Sequence, residues 1–141
     1  MFAYICLGTN DLQRSIKFYD AALAPLGLKR CNTDGESNWE GWAGWGVYEA
    51  RGADELALWV CSPFNAHAAN AGNGTMVALR AQTWLEVKNF YKAALENGGI
   101  SEGLPGLRPE YNQDFYAAYV YDPDGNKIAA VCRGFTQAQQ L

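Results

Sequence analysis

The sequence predicts an α+β fold: two paired βαβββ modules forming a half-barrel of mostly antiparallel strands with helices outside. Three observations carry that prediction. The chain repeats itself once, because Phe18-Tyr19-Asp20-Ala21-Ala22-Leu23 returns as Phe90-Tyr91-Lys92-Ala93-Ala94-Leu95, an offset of 90 − 18 = 72 in 141 residues. A period of half the chain points to a duplicated module, not to a solenoid of short units. Each half also reads strand, helix and then three strands, giving eight strands and two helices. Finally, turn-forming residues sit between the periodic segments, where the chain must reverse.

The elements follow in order. Phe2 to Leu7 is apolar and aromatic and reads as a buried strand. Gly8-Thr9-Asn10-Asp11 breaks it, and Thr9, Asn10 or Asp11 can cap a helix through a side-chain oxygen. Leu12, Ile16, Tyr19 and Leu23 then recur at helical spacing, with Phe18 and Ala22 widening the stripe, until Pro25 and Gly27 end it. Strand signals follow near Leu28 to Cys31, Trp45 to Glu49 and Glu55 to Cys61. Asn38 to Gly46 holds Trp39, Trp42 and Trp45 among glycines, which argue against a helix. Two readings stand for this segment: an aromatic wall or lid over a pocket, or a glycine-bent strand packing its Trp side chains.

Ser62 to Gly74 is a polar connector. Thr75 to Leu79 reads as a strand. Leu85, Tyr91 and Leu95, with Val87, Phe90 and Ala94, mark a helix that Gly98-Gly99 ends. Phe115 to Tyr121 alternates as a strand, Asp122-Pro123-Asp124-Gly125 is a turn in which Pro presets φ and Gly takes the positive φ, and Lys127 to Cys132 is the last strand. The expected organisation is a single domain over 1–141, with module one at about 1–61, a connector at about 62–73, module two at about 74–133 and a polar, frayed tail over 134–141.

Composition excludes several function classes. The net charge is −4, and the 11 Lys and Arg never cluster, so nucleic acid is disfavoured. No apolar run approaches the roughly 20 residues of a membrane helix, and the first residues read as a strand, not as a secretory signal. Cys6, Cys31, Cys61 and Cys132 are far apart without paired spacing, so they are expected to be reduced thiols in a cytoplasm. His67 is the only histidine. It reads as a solvated loop residue, the alternative being a mobile base.

Several motifs together resemble the glyoxalase/bleomycin resistance protein/dioxygenase superfamily, also called vicinal oxygen chelate proteins. They are Leu7-Gly8-Thr9-Asn10-Asp11-Leu12, Phe18-Tyr19 with Leu23-Ala24-Pro25-Leu26-Gly27, and Gly72-Asn73-Gly74-Thr75. Gly106-Leu107-Arg108-Pro109 with Tyr111, Tyr116-Ala117-Ala118-Tyr119-Val120, and Asp122-Pro123-Asp124-Gly125-Asn126-Lys127-Ile128 complete the set, which covers nearly the whole chain.

The resemblance implies a cleft with one divalent metal held by His, Glu or Gln from the first and last strands of each module. The expected ligand positions are Tyr4, Ala57, Met76 and Ala129, related in pairs by the offset of 72. None carries a good ligand for a hard ion. Two are alanines, Met76 is a soft thioether, and the Tyr4 phenol has an unperturbed pKa near ~10. Glu55, two residues before Ala57, is the only acid on the same face; Glu110 stands where similar sequences often have His.

The expected pocket combines Tyr4, Ala57, Met76 and Ala129 as floor with Arg108, Tyr111 and Tyr116 in or beside a Gly/Pro-rich rim loop, Gly103 to Pro109. Trp59 is placed on the opposite face. Arg108 offers a forked donor for carboxylate or phosphate, or else a structural ion pair. The expectation is a cytoplasmic homodimer that binds a small organic molecule, without cofactor or catalytic metal and with no assignable catalytic residue. One alternative is a lactoylglutathione lyase-like metal enzyme with non-standard ligands such as Glu55, His67 or Tyr4. A second is an antibiotic-sequestering resistance protein.

Overall fold

In the computed structural model, residues 1–34, 36 and 39–134 are described. Asn38 of the Trp segment and the tail from residue 135 onward lie outside them. The elements are β1 (Tyr4–Gly8), α1 (Leu12–Leu23) with a short 3-10 turn after it, β2 (Trp42–Tyr48), β3 (Glu55–Cys61), β4 (Met76–Ala81), α2 (Trp84–Glu96), β5 (Ile100–Leu107), β6 (Tyr116–Tyr121) and β7 (Lys127–Cys132). They form a three-stranded sheet, β1-β3-β2, and a four-stranded sheet, β4-β7-β6-β5, with no closed barrel. Two pairings are parallel, β1 with β3 and β4 with β7; the others are antiparallel.

The strand expected near Leu28 to Cys31 is reduced to one bridge, Arg30 to Trp45, so the described residues hold seven strands instead of eight. The reason is local. Lys29 and Cys31 still bond to the backbone of β2, but Asn32 then accepts the Asp34 N–H at 2.9 Å and turns the chain away.

Both helices start as their sequences dictate. Asp11 caps α1 by accepting the Arg14 N–H at 3.0 Å. At α2, Thr83 accepts the Glu86 N–H while Glu86 reaches back to the Gln82 N–H at 2.6 Å. Phe18, Tyr19, Ala22 and Leu23 of α1 and Val87, Phe90 and Ala94 of α2 are buried, and the two helices pack on each other. One face of each sheet lies against them: Leu7, Ala43, Trp45, Leu58 and Val60 in the first, Val77, Ala118, Val120, Ile128 and Ala130 in the second. Period two along each strand leaves the alternate residues on the other, concave faces.

The modules are locked together by two carboxylates of the Asp122–Gly125 turn. Asp124, with its side chain 2% exposed, accepts from Thr9 Oγ1 (2.6 Å), the Asn10 N–H (2.9 Å), Arg14 Nη2 (2.8 Å) and Ser15 Oγ (3.2 Å). Asp122 accepts the Tyr19 hydroxyl at 2.6 Å and, within its own turn, the N–H groups of Asp124 and Asn126. Asn126 donates to the Gly8 carbonyl at 3.1 Å. Buried carboxylates are tolerated only with this many donors.

Asp124→Ala strips four donors of their acceptor and should cost about 2–4 kcal/mol, read as a lowered urea midpoint. Burial first, and the Asp122 charge next, hold the Tyr19 phenol well above its ordinary pKa. A pKa raised by folding gives stability that is complete below the unfolded value near ~10 and is lost as pH rises through the folded one. Stability should therefore fall in alkaline solution, and Tyr19→Phe should flatten that fall, measured by chemical unfolding between neutral and strongly alkaline pH.

Candidate functional site

The concave face of the second sheet carries Met76 and Ala78 from β4, Lys127 and Ala129 from β7, and Tyr119 and Tyr121 from β6, because Ala78 and Tyr119 flank Ala129 and Met76 and Tyr121 flank Lys127. A cavity of about 530 Å³ opens there. Its wall includes Met76, Arg108, Tyr111, Phe115, Tyr119 and Lys127, with the carboxylates Glu102 and Glu110 at its edge.

Irregularity in β5 builds this site. The strand slips register between Ser101 and Gly103 and again between Gly103 and Gly106, and such bulges re-aim the chain beside them. A Cβ on Gly103 would stand 2.8 Å from the Tyr119 ring and 3.3 Å from the Arg108 guanidinium. Glycine there lets both groups lie against the strand. Arg108 Nη2 donates to the Leu104 carbonyl at 2.6 Å, and its guanidinium carbon lies 5.5 Å from the centre of the Tyr119 ring. Lys127 Nζ lies at the same 5.5 Å. Two cations thus share one aromatic ring at cation–π distance. Burial, and after it the neighbouring Tyr111, push the Tyr119 phenol up, while Arg108 opposes the shift. The phenol therefore stays a donor at neutral pH. Among the described residues no carboxylate lies within ion-pair distance of Arg108, so its charge is held by a carbonyl and a ring, not by the structural ion pair weighed from sequence.

The expected pocket residues divide into three groups. Met76, Arg108 and Tyr111 line the cavity together. Tyr4 and Ala57 face each other across β1 and β3 but border a separate apolar groove with Phe2, Val47, Leu56 and Leu79. Ala129 is fully buried between Ala78 and Tyr119. Tyr116 lies elsewhere: it points to the helix side of β6, is 6% exposed and stacks on Trp84 with ring centres 4.3 Å apart. The supposed rim loop, Gly103 to Pro109, is mostly strand β5. His67 is exposed in the connector and borders none of these cavities.

The part of the first module's concave face around Trp59 is covered by aromatic side chains. Trp59 shares that face with Ala57, two residues away, and is not opposite to it as first placed. Its ring stacks on Trp39 at 4.3 Å and 14°, meets Tyr48 edge-on at 5.4 Å, and its indole N–H donates to Glu55 at 2.8 Å. A Cβ on Gly44 would stand 2.3 Å from this ring, so only glycine lets Trp59 lie flat over β2. The Trp segment packs its rings as a glycine-bent strand: Trp39 and Trp42 meet edge-on with ring centres 6.0 Å apart, while Trp45 is core and donates to Asp20 at 2.9 Å.

These residues do not fit a hard divalent metal. The four family positions present a phenol, a methyl, a thioether and another methyl, spread over two cavities and the interior. Glu55 is engaged by Trp59. Among the described residues no three His, Cys, Asp or Glu are grouped for coordination.

Sequence reasoning missed Lys127, Tyr119 and Phe115. The offset of 72 pairs Tyr4 with Met76 and Ala57 with Ala129, yet Met76 stands opposite Lys127, whereas Tyr4 stands opposite Ala57. Strand alternation through Ala129, applied strictly, places Lys127 on the cavity face.

Comparisons with known proteins agree with this architecture. The family model for the Glyoxalase/Bleomycin resistance protein/Dioxygenase superfamily matches residues 2–130. The chain is similar to a glyoxalase/bleomycin resistance protein from Albidiferax ferrireducens T118, with 32% identity over 94% of this chain and 98% of that one and a TM-score of 0.78. It is similar to a glyoxalase I mutant from Zea mays at 26% identity, covering 92% of this chain and 45% of the maize chain, TM-score 0.59. A glyoxalase-related enzyme from Fulvimarina pelagi, at 18% identity over 94% of this chain and 88% of that one, shares the fold with a TM-score of 0.68. No curated protein matches the chain.

Proposed function

The chain belongs to the glyoxalase/bleomycin resistance protein/dioxygenase superfamily, and from that premise we propose that it binds a small organic anion in the cavity of module two, without a catalytic metal. The supporting observation is the pair of cations, Arg108 and Lys127, held at one aromatic ring beside Met76. A guanidinium fork suits a carboxylate, and an ammonium adds a compact point charge. Tyr111 and Phe115, edge-on at 5.3 Å, offer ring faces to an aromatic or unsaturated body. Glu102 and Glu110 offset the two cations, which favours a monoanion over a polyanion.

Aromatic monocarboxylates should bind to protein purified without chelators, and their uncharged amides should bind less tightly. Arg108→Ala should weaken carboxylate binding roughly 10- to 100-fold, the scale of one lost charged hydrogen bond, by calorimetric titration. Elemental analysis after challenge with Ni²⁺, Zn²⁺, Mn²⁺ and Fe²⁺ should find no stoichiometric metal surviving desalting. About one retained ion per chain would overturn the metal-free reading in favour of a metal-dependent lyase or isomerase.

The same reading takes the working form to be a homodimer. Phe2, Tyr4, Val47 and Leu56 are all more than half exposed around the groove of the first sheet, an apolar cluster of the kind that marks an interface. Light scattering should give twice the chain mass, and Leu56→Asp should halve it. A monomer at micromolar concentration would sink this part of the reading.

A further inference from the structure

Two of the four cysteines meet. Cys6 of β1 and Cys61 of β3 bring their sulfurs to 3.2 Å. The register explains how residues 55 apart in sequence do so. Cys6 stands opposite Trp59 and Cys61 opposite Gly8, so the two thiols are diagonal neighbours on the concave face of the first sheet. Cys6 is exposed and Cys61 is 5% exposed. The other two differ: Cys132 is fully buried, and Cys31 is half-buried on the segment that bonds to Gly44.

We propose that Cys6 and Cys61 form a redox-active dithiol, a modification site that low-molecular-weight disulfides close into an intrachain disulfide tying edge strand β1 to β3. This goes beyond the ligand-binding reading and does not depend on it.

The chemistry follows from the asymmetry of the pair. The exposed Cys6 thiolate attacks one sulfur of the small disulfide; a Cys6–S bond forms, the small S–S bond breaks, and one small thiolate leaves. The Cys61 sulfur then loses its proton to solvent and attacks the Cys6 sulfur, expelling the second small thiolate. Both small thiolates take up a proton. The sum is two protein thiols plus one small disulfide giving one protein disulfide and two small thiols. Burial, and then the Cys6 thiol itself, push the Cys61 thiol up to about 12. Capping Cys6 removes the part of that shift which Cys6 causes, so the second step is eased by the first. The sulfurs must close from 3.2 Å to about 2.05 Å. Diagonal neighbours on paired strands stand about 7–8 Å apart, at the upper end of what a disulfide spans, so closure draws the edge strand β1 toward β3.

The test uses oxidised glutathione as the probe on reduced, full-length protein. The expected product has lost two of its four titratable thiols and about 2 Da, and non-reducing peptide mapping joins the peptides of Cys6 and Cys61. Its thermal midpoint should rise by several degrees and return with dithiothreitol. Cys6→Ser, at an exposed position, should abolish the mass loss. Cys61→Ala should trap glutathione on Cys6. A wild-type protein that keeps glutathione on Cys6, forms its disulfide between chains, links Cys31 instead, or does not react would overturn the proposal.

Discussion

The turn Asp122-Pro123-Asp124-Gly125 buries two carboxylates at the seam between the modules, and the rest of the structure depends on their being answered. A carboxylate out of water needs several donors. For Asp124 the side-chain donors come from Thr9, Arg14 and Ser15 on the far module; for Asp122, Tyr19 reaches across from α1. The beginning of α1 is thus fixed against the beginning of β7. That contact holds the first half of the chain against the second, while strand alternation decides which face of each sheet the helices cover.

On those remaining faces the two halves of the chain differ. The first covers part of its concave surface with Trp39, Tyr48 and Trp59, an arrangement that requires a glycine at position 44. The second has an open cavity with cations at its aromatic ring. One side carries aromatic packing, the other two cations. The four positions examined for a metal, Tyr4, Ala57, Met76 and Ala129, fall on either side of that division.

Much of the fold was legible because its signals are local. Helix caps, the Asp-Pro-Asp-Gly turn and strand β7 depend on residues a few positions apart, and β7 begins and ends at the predicted Lys127 and Cys132. The candidate site was only partly legible. Arg108 and Tyr111 were found because a glycine-rich segment marked them. Lys127 was hidden because a linear offset cannot show that Met76 faces Lys127 while Tyr4 faces Ala57. Tyr116 misled because aromatic type says nothing about which side of a strand a ring takes; here Trp84 claims it. The rim loop became strand because β5 absorbs its glycines as bulges. The Cys6–Cys61 contact joins residues with no sequence spacing to announce it. It follows from a parallel pairing that only the finished sheet defines.

The seam also sets an order of events during synthesis. The partners of Asp124 lie 109 to 115 residues earlier in the chain. A ribosome will therefore have released all of module one, and most of module two, before its acceptor appears. Until then Tyr19 and Ser15 lack these carboxylates, although α2 has already been made. Contacts this distant in sequence make for slow closure. The nascent chain is thus left for many seconds with a half-built interior, at translation rates of about 5–20 residues per second.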